Sequence, residues 1–369
     1  MKAEFRQARD AALASPGPAP KGWAPDAVLQ LSPDLVDRLI ASGIEQLEPS
    51  DWDVDVPGVK LTPKLALTDV ELSASTTCED CFAAKVEVTG PIRYDAGILG
   101  KGRIPTTIQA TLDVGLEVGK KSDGFPVIAT IEKVRRVKID LQGIPKALTD
   151  TIEPKLTDLV HDEVKRSVDP FQLARPGSGA LPLRAMRVKP LGSGMLLEML
   201  TEAGTDASVV PGRQLGDWTL DVAEPALVRL VARQAFEAGP QDHGLIGELK
   251  GLDVPKAGEL DLDVRVWRTE GNGWWRDLSV QANAVVKGRS LELEATKAQV
   301  VASSPGAAFA DPVAWLAESV VLSEIEEAAA FAVPTVEKAD VGKQKVTVKL
   351  EGLAPGSDSL RSYGRVTLR

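Results

Sequence analysis

The chain has 369 residues, of which 43% are hydrophobic and 26% are charged, and its formal net charge at pH 7 is −10. This composition is typical of a globular protein with room for two domains, and it excludes a disordered or collagen-like chain. The negative charge argues against a nucleic-acid partner, because phosphate backbones bind clustered Lys and Arg. No apolar run approaches the ~20 residues that a membrane-spanning helix needs.

Residues 1–24 are predicted to form an N-terminal extension, with a short helix-prone stretch followed by a segment rich in Pro and Gly. The extension has no apolar signal core. This leaves either a cytoplasmic protein or an exported one, periplasmic or secreted, whose signal has been removed, and we expect the exported protein because of the cysteine pair described below.

In the first half, Ser32 can cap a helix that begins at Pro33. The predicted strands that follow are Trp52–Val56, Leu61–Leu67, Val70–Ala74, Phe82–Val88, Thr106–Val118 and Val127–Leu141. Alternation of apolar residues is clearest in Thr106–Val118, whereas Val127–Leu141 changes phase near Lys133. From Ile144 onward the period becomes helical, and Pro154 is expected to kink or interrupt that helix.

Two cysteines, Cys78 and Cys81, lie between strand-like runs. They lack the further ligands of a zinc site, since the histidines are distant in sequence and lack zinc-ligand spacing. A local disulfide that closes a loop fits an exported protein. A redox dithiol is the weaker alternative.

The second half begins with a motif that has already occurred. Residues Arg38 to Ala41 recur as Arg229 to Ala232 at an offset of 191 residues. Each copy lies in a predicted helix, precedes alternating strands and is followed by a second helix, at Pro145–Val168 or Pro312–Ala330. This order predicts two similar units, which we place at 25–180 and 181–369.

The repeated helix is expected to end at Gly239. Strands Leu260–Arg268 and Trp275–Val286 flank a strong hairpin-turn signal, and Leu291–Val301 continues the sheet. The tryptophans beside this turn are Trp267, Trp274 and Trp275. They predict either a contact surface for a membrane or a protein partner, or simple cross-strand packing.

Catalytic motifs are weak in this chain. Neither His161 nor His243 lies in a nucleophile motif. Asp51, Asp53 and Asp55 alternate as in a calcium loop, but the Gly and Glu that complete such a loop are missing. We therefore predict a protein that is not an enzyme and that uses no metal or cofactor.

The order of elements from Pro25 to Arg369 resembles the tubular lipid-binding superfamily, and within it the two-domain bactericidal permeability-increasing and lipid-transfer proteins. The matching segments are Leu31–Ile44, Asp221–Gly239, and Phe331, Val333 and Pro334. The resemblance, to a distant bacterial-type member, implies an α+β fold of two tandem pseudo-symmetric barrels. Each barrel would be a strongly bent antiparallel sheet wrapped on a long helix, with a central sheet joining the two.

The resemblance also implies an apolar tunnel between helix and sheet that holds a lipid or fatty acyl ligand. We expect the apolar helix stripes to line this tunnel. The candidate lining residues are Leu35, Leu39, Ile40, Ile44, Ile152, Leu156, Val160, Val164, Leu227, Leu230, Val231, Leu316 and Val320. The predicted function is non-enzymatic lipid transport with transient membrane contact. The alternatives are a scaffold with filled barrels that binds a protein partner, and a thiol-disulfide oxidoreductase that uses Cys78 and Cys81.

Overall fold

A computed structural model describes residues 1–45, 54–56, 59–78, 81–95, 101–119, 125, 127–143, 149–150, 152–158, 161, 171–174, 181–240, 244–287, 290–304, 336–341 and 344–368. Strands dominate these residues, and they form three antiparallel sheets.

Four short helices accompany the sheets within the described residues. They are α1 (Lys2–Leu13), α2 (Pro33–Glu45), α3 (described at 152–158) and α4 (Glu224–Ala238). The predicted cap of α2 is confirmed, because the Leu35 amide donates to Ser32 Oγ at 3.2 Å. The predicted end of α4 is also confirmed, with Gly239 at φ 81°. None of the described helices has the length and apolar content that a bilayer crossing requires.

The central sheet contains strands from both halves of the chain. Its strands are β1 (Ala27–Leu31), β9 (Leu183–Leu191), β10 (Gly194–Thr201), β11 (Trp218–Ala223), β16 (Val336–Val341), β17 (Gln344–Pro355) and β18 (Ser359–Leu368). They are arranged in the order β16-β17-β18-β11-β1-β10-β9. The middle pair, β1 and β11, is antiparallel with Leu29 opposite Leu220. Since β1 leads into α2 and β11 leads into α4, the helices that carry the two copies of the repeated motif begin at opposite ends of this antiparallel pair.

The other two sheets each come from one half of the chain. The first-half sheet contains β2 (Val54–Val56), β3 (Val59–Pro63), β4 (Ala66–Ala74), β5 (Cys81–Asp95), β6 (Lys101–Val118), β7 (Val127–Leu141) and β8 (Phe171–Ala174). Its order is β2-β3-β5-β6-β7-β8, and β4 also pairs with β5. The second-half sheet contains β12 (Leu245–Lys256), β13 (Glu259–Arg268), β14 (Trp274–Lys287) and β15 (Ser290–Ser303), paired in sequence order.

Two strand predictions are confirmed in detail. The phase change near Lys133 is a real irregularity, because the β6–β7 register shifts twice, and Glu132 and Arg135 are the extra residues on β7. Such bulges reverse the face on which later side chains lie. The predicted hairpin is formed by β13 and β14, with Trp267 directly opposite Trp275.

The predicted fold class is wrong. The described strands form open sheets with free edges, not closed barrels, and the described helices are too short to serve as cores around which the sheets wrap. The physical reason is that alternation reports which face of a strand is apolar. It does not report whether the first and last strands of a sheet meet. The unit boundaries at 25–180 and 181–369 stay predictions.

The largest apolar core joins all three sheets. It includes Val28 of β1, Phe82 of β5 and Val264 of β13, together with Leu35 of α2 and Leu227 of α4. Two smaller clusters lie outside it. One lies between α3 and the far part of the first-half sheet, and the other lies between α1, α4 and the second-half sheet.

Candidate functional site

The apolar face of the first-half sheet carries two separate buried clusters. Near α2, buried side chains of β4 to β7 belong to the large core: Leu72, Phe82, Ala84, Leu112 and Val134. Near α3, Ile152 and Leu156 pack on an entirely aliphatic cluster: Leu61, Ile92, Ile104, Ile108, Ile139 and Leu141. Three strands of the sheet, β5, β6 and β7, therefore contribute to both clusters, with a gap between the clusters along the strand direction.

The gap is occupied by a single row of small apolar residues, which we call the aliphatic row: Val70, Val86, Ala110 and Val137. Each is the direct cross-strand partner of the next, on β4, β5, β6 and β7 in turn. All four are only half-buried. On β6 and β7 the residues of the same face on both sides of the row are buried, namely Ile108, Leu112, Val134 and Ile139. The row crosses three inter-strand spacings, which is about 14 Å. It is an apolar surface for which the described side chains supply incomplete cover.

The opposite face of the sheet at the same level is polar and forms a groove of about 390 Å³. Its lining residues are Asp69, Glu71, Lys85, Val86, Glu87, Gln109, Ala110, Thr111, Arg136 and Lys138. Because successive side chains of a strand lie on opposite faces, Val86 and Ala110 border this groove through their backbone. Acidic and basic side chains balance, and several bond to one another: Lys85 pairs with Glu71 at 2.7 Å, and Gln109 donates to Glu87 at 2.8 Å. The sheet therefore separates an apolar face from a wet face, as expected for a half-exposed antiparallel sheet.

A buried ionic network anchors one end of this sheet. The Asp113 side chain on β6 is 4% exposed and accepts hydrogen bonds from Arg135 Nε at 2.7 Å and from the hydroxyls of Ser75 and Thr77 at 3.2 Å. The Arg135 guanidinium is the main cause that lowers the pKa of Asp113 below its ordinary value. Ser75 Oγ in turn accepts the amide of Cys78, at 3.1 Å. The network therefore fixes the turn that joins β4 to β5.

The two cysteines are disulfide-bonded within that turn, with their Cα atoms 5.3 Å apart. Cys81 is buried at the beginning of β5. The disulfide thus closes a short loop that the Asp113 network also holds, so both features order the same end of the sheet.

The predicted lining residues fall into three groups. Leu35, Ile152, Leu156 and Leu227 are buried in the core clusters, whereas Leu39, Leu230 and Val231 are half-buried against the large core. The remaining predictions lie outside the described side chains: Ile40, Ile44, Val160, Val164, Leu316 and Val320. The structure does not bring the described ones into one site, since they belong to different clusters.

The tryptophans beside the hairpin turn lie on two faces of the second-half sheet. Trp274 is 7% exposed and belongs to the large core. Trp267 is fully buried on the opposite face and donates its indole N–H to Glu248 at 2.7 Å, while Trp275 next to it is half-buried. Helix α1 lies over Trp267 and Trp275.

Sequence reasoning missed the aliphatic row. All four residues lie in strands that were predicted, but nothing in the sequence showed that they would be aligned across four strands. Alignment depends on register, which the turns and bulges determine.

Within the described residues, no group of three His, Cys, Asp or Glu side chains is placed to hold a metal ion.

No protein-family model matches the chain, and no curated protein is significantly similar in sequence. Similar solved structures include a lipopolysaccharide binding protein, with a TM-score of 0.42 and 12% identity, covering 93% of this chain and 99% of that one. They also include P47 of Clostridium botulinum E1, with a TM-score of 0.45 and 8% identity, covering 94% of this chain and 100% of that one. P47 of Clostridium botulinum A2 has a TM-score of 0.42 and 7% identity, covering 93% of this chain and 97% of that one. All three TM-scores lie below 0.5.

Proposed function

We propose that the chain is a non-enzymatic carrier that binds the acyl part of a lipid, or a similar hydrophobic ligand, against the aliphatic row. The observation that carries the proposal is the incomplete burial of Val70, Val86, Ala110 and Val137 between two buried clusters on one face of a sheet. An acyl chain lying along the row would complete the burial of this face.

Burial of methylene groups would supply the driving force for binding such a ligand. Each methylene that leaves water contributes ~0.8 kcal/mol, so eight methylenes would contribute roughly 6 kcal/mol before the cost of association is subtracted. The row contains no charged side chain and no bulky ring, so an alkyl chain meets no unpaired polar group. The polar headgroup would stay in water at the end of the row.

The proposed compartment is extracytoplasmic, periplasmic or secreted. The disulfide between Cys78 and Cys81 supports it, because disulfides persist in oxidising compartments. In such a compartment a carrier would take its ligand from a membrane and release it to another acceptor.

The test compares bound lipid in three purified proteins by denaturing extraction and mass spectrometry. The wild-type chain should release a lipid in stoichiometric amount. Ala110→Trp would fill the middle of the aliphatic row, and its lipid content should fall to less than a tenth. The matched control is Gln109→Trp, because Gln109 is the neighbouring residue on the wet face and is exposed. This control should retain the lipid.

A smaller substitution separates displacement of the ligand from misfolding. Ala110→Leu should reduce the lipid content partially, with an unchanged circular dichroism spectrum. If the wild-type chain releases no lipid and takes up no added fatty acid, the carrier proposal is wrong. If Gln109→Trp loses lipid as completely as Ala110→Trp, the ligand does not lie on the aliphatic row.

A further inference from the structure

The outer face of the second-half sheet carries an aromatic surface next to the β13–β14 turn. Trp267 lies directly opposite Trp275 across the strands, and Ile246 of β12 lies opposite Trp267 on the other side. Phe236, from the last turn of α4, completes this surface. We call these four residues the aromatic platform.

Helix α1 covers the aromatic platform through one face. The Phe5 ring meets Trp267 at a centroid distance of 5.5 Å and Phe236 at 5.8 Å, edge-on in both contacts. Ala8 and Ala12, one and two turns further along, belong to the same cluster. The small residues let the helix approach the platform closely, while the large ring at position 5 fills the space between Trp267 and Phe236.

Polar contacts also orient α1 on the aromatic platform. The Trp275 indole N–H donates to Glu4 Oε2 at 3.3 Å, and the N-terminal amine pairs with the same carboxylate at 2.8 Å. At the other end of the helix, Arg229 of α4 donates to the carbonyl of Ala11 at 3.1 Å. The platform therefore selects an amphipathic helix with an acid followed by a bulky aromatic, and small residues three and seven positions after that aromatic.

The cover is held much less firmly than the surface beneath it. Helix α1 has 12 residues, and Ala12 is its one buried residue. A helix of this length is marginal by itself in water, so its order depends on the platform. Residues 14–24 connect it to β1 and are held separately, mainly by Arg184, whose guanidinium donates to the carbonyls of Pro16, Gly17 and Pro18. Local opening of α1 would leave its connection and the sheets folded.

We propose that the aromatic platform is a docking site for an amphipathic helix of a partner protein, and that α1 occupies this site in the free chain. The partner helix carries the pattern of α1, which is Glu-Phe followed by small residues at the third and seventh positions after Phe. Departure of α1 without replacement would uncover apolar area of two indoles and a phenyl ring beside the Arg265 guanidinium, which stacks on both indoles. Aromatic side chains with a neighbouring Arg are typical of protein binding surfaces. Competition by α1 then restricts docking to helices that match the platform as well as α1 does.

The experiment uses full-length chains and a fluorescent synthetic peptide of residues 1–14 as the probe. Phe5→Ala weakens α1 in the chain without touching the platform, and Gln7→Ala, on the exposed face of α1, is the matched control. The Phe5→Ala chain should bind the peptide at least tenfold more tightly than the wild-type and Gln7→Ala chains. A peptide with the Phe5→Ala change should not bind. Acrylamide should quench tryptophan fluorescence more strongly in the Phe5→Ala chain.

A second variant, Ala8→Asp, places a charge in the contact face of α1 and should reproduce both results. The proposal is overturned if neither opened variant binds the peptide while both keep the wild-type circular dichroism spectrum. It is also overturned if the opened variants bind phosphatidylcholine vesicles and not the peptide, because the platform is then a bilayer-contact surface.

Discussion

Replacing Asp113 by Asn should destabilise the chain strongly, although the two side chains have nearly the same shape. The Asp113 side chain is 4% exposed and that of Arg135 is 22% exposed, so the ion pair between them is largely removed from water. Asn removes the negative charge and leaves the Arg135 guanidinium without its counterion. The Ser75 and Thr77 hydroxyls also lose an ionised acceptor.

The size of the effect follows from the burial of the pair. Breaking a buried pair by removing one partner costs about 3 to 5 kcal/mol, and the partial exposure of Arg135 should bring the cost for this pair below that range but above that of an exposed pair. An exposed pair in the same sheet provides the comparison. Lys85 and Glu71 are 2.7 Å apart, but their side chains are 66% and 67% exposed, so Lys85→Gln should cost less than about 1 kcal/mol.

Urea unfolding followed by circular dichroism measures both substitutions, and the difference in unfolding free energy between them is the decisive quantity. If Asp113→Asn costs no more than Lys85→Gln, burial of the pair does not control its contribution, and the reasoning about the network is refuted.

Three further predictions concern acid stability, packing and backbone contact. Arg135 lowers the pKa of Asp113 in the folded chain. The stabilisation that ionised Asp113 gives is therefore fully present above pH ~3.9, the pKa of an unstructured aspartate, and is lost as the pH falls through the lower pKa of the folded chain. Unfolding free energy measured from pH 6 to pH 2 should therefore decline in acid, and less steeply in Asp113→Asn. Leu156 is 1% exposed, so Leu156→Ala should lower the unfolding free energy measured in urea by about 3 kcal/mol. Val86→Ala in the aliphatic row should lower it by less than about 1 kcal/mol. Equal costs would contradict the distinction between the core and the row. Gly364→Ala should cost about 2 kcal/mol or more by the same method, because an added Cβ would overlap the Lys349 carbonyl oxygen, and a neutral result would mean that the central sheet can shift.

The local signals in the sequence predicted several elements well. The Ser32 cap, the end of α4 at Gly239 and the β13–β14 turn depend on neighbouring residues, and all three are confirmed. Alternation in Thr106–Val118 also predicted β6, because one face of that strand contacts aliphatic side chains along its whole length. Elements of this kind can be predicted without knowledge of their partners.

Elements whose pattern depends on distant contacts were missed. Strand β18 places Ser362 and Gly364 at buried positions, so the usual apolar alternation is hidden. The predicted strand Leu61–Leu67 is divided into β3 and β4, because the Lys64 carbonyl approaches Gly90 where any side chain on β5 would collide with it. That break requires knowledge of which strand lies opposite.

The candidate site shows the same limit. The described members of the predicted helix stripes, such as Ile152 and Leu156, are buried in apolar clusters, and whether they line a tunnel stays a prediction. The aliphatic row depends on the register of four strands, and the docking of α1 depends on an aromatic platform more than 220 residues away in sequence. Neither relation is visible in local periodicity.

Photo-crosslinking with a diazirine-bearing fatty acid tests the central proposal most directly. After irradiation and proteolysis, mass spectrometry should find the label on peptides of β5 and β6, at or next to Val86 and Ala110. Saturating amounts of unlabelled fatty acid should abolish the labelling. Labelling that avoids these strands, or that does not saturate, would contradict the account of the aliphatic row as a ligand site.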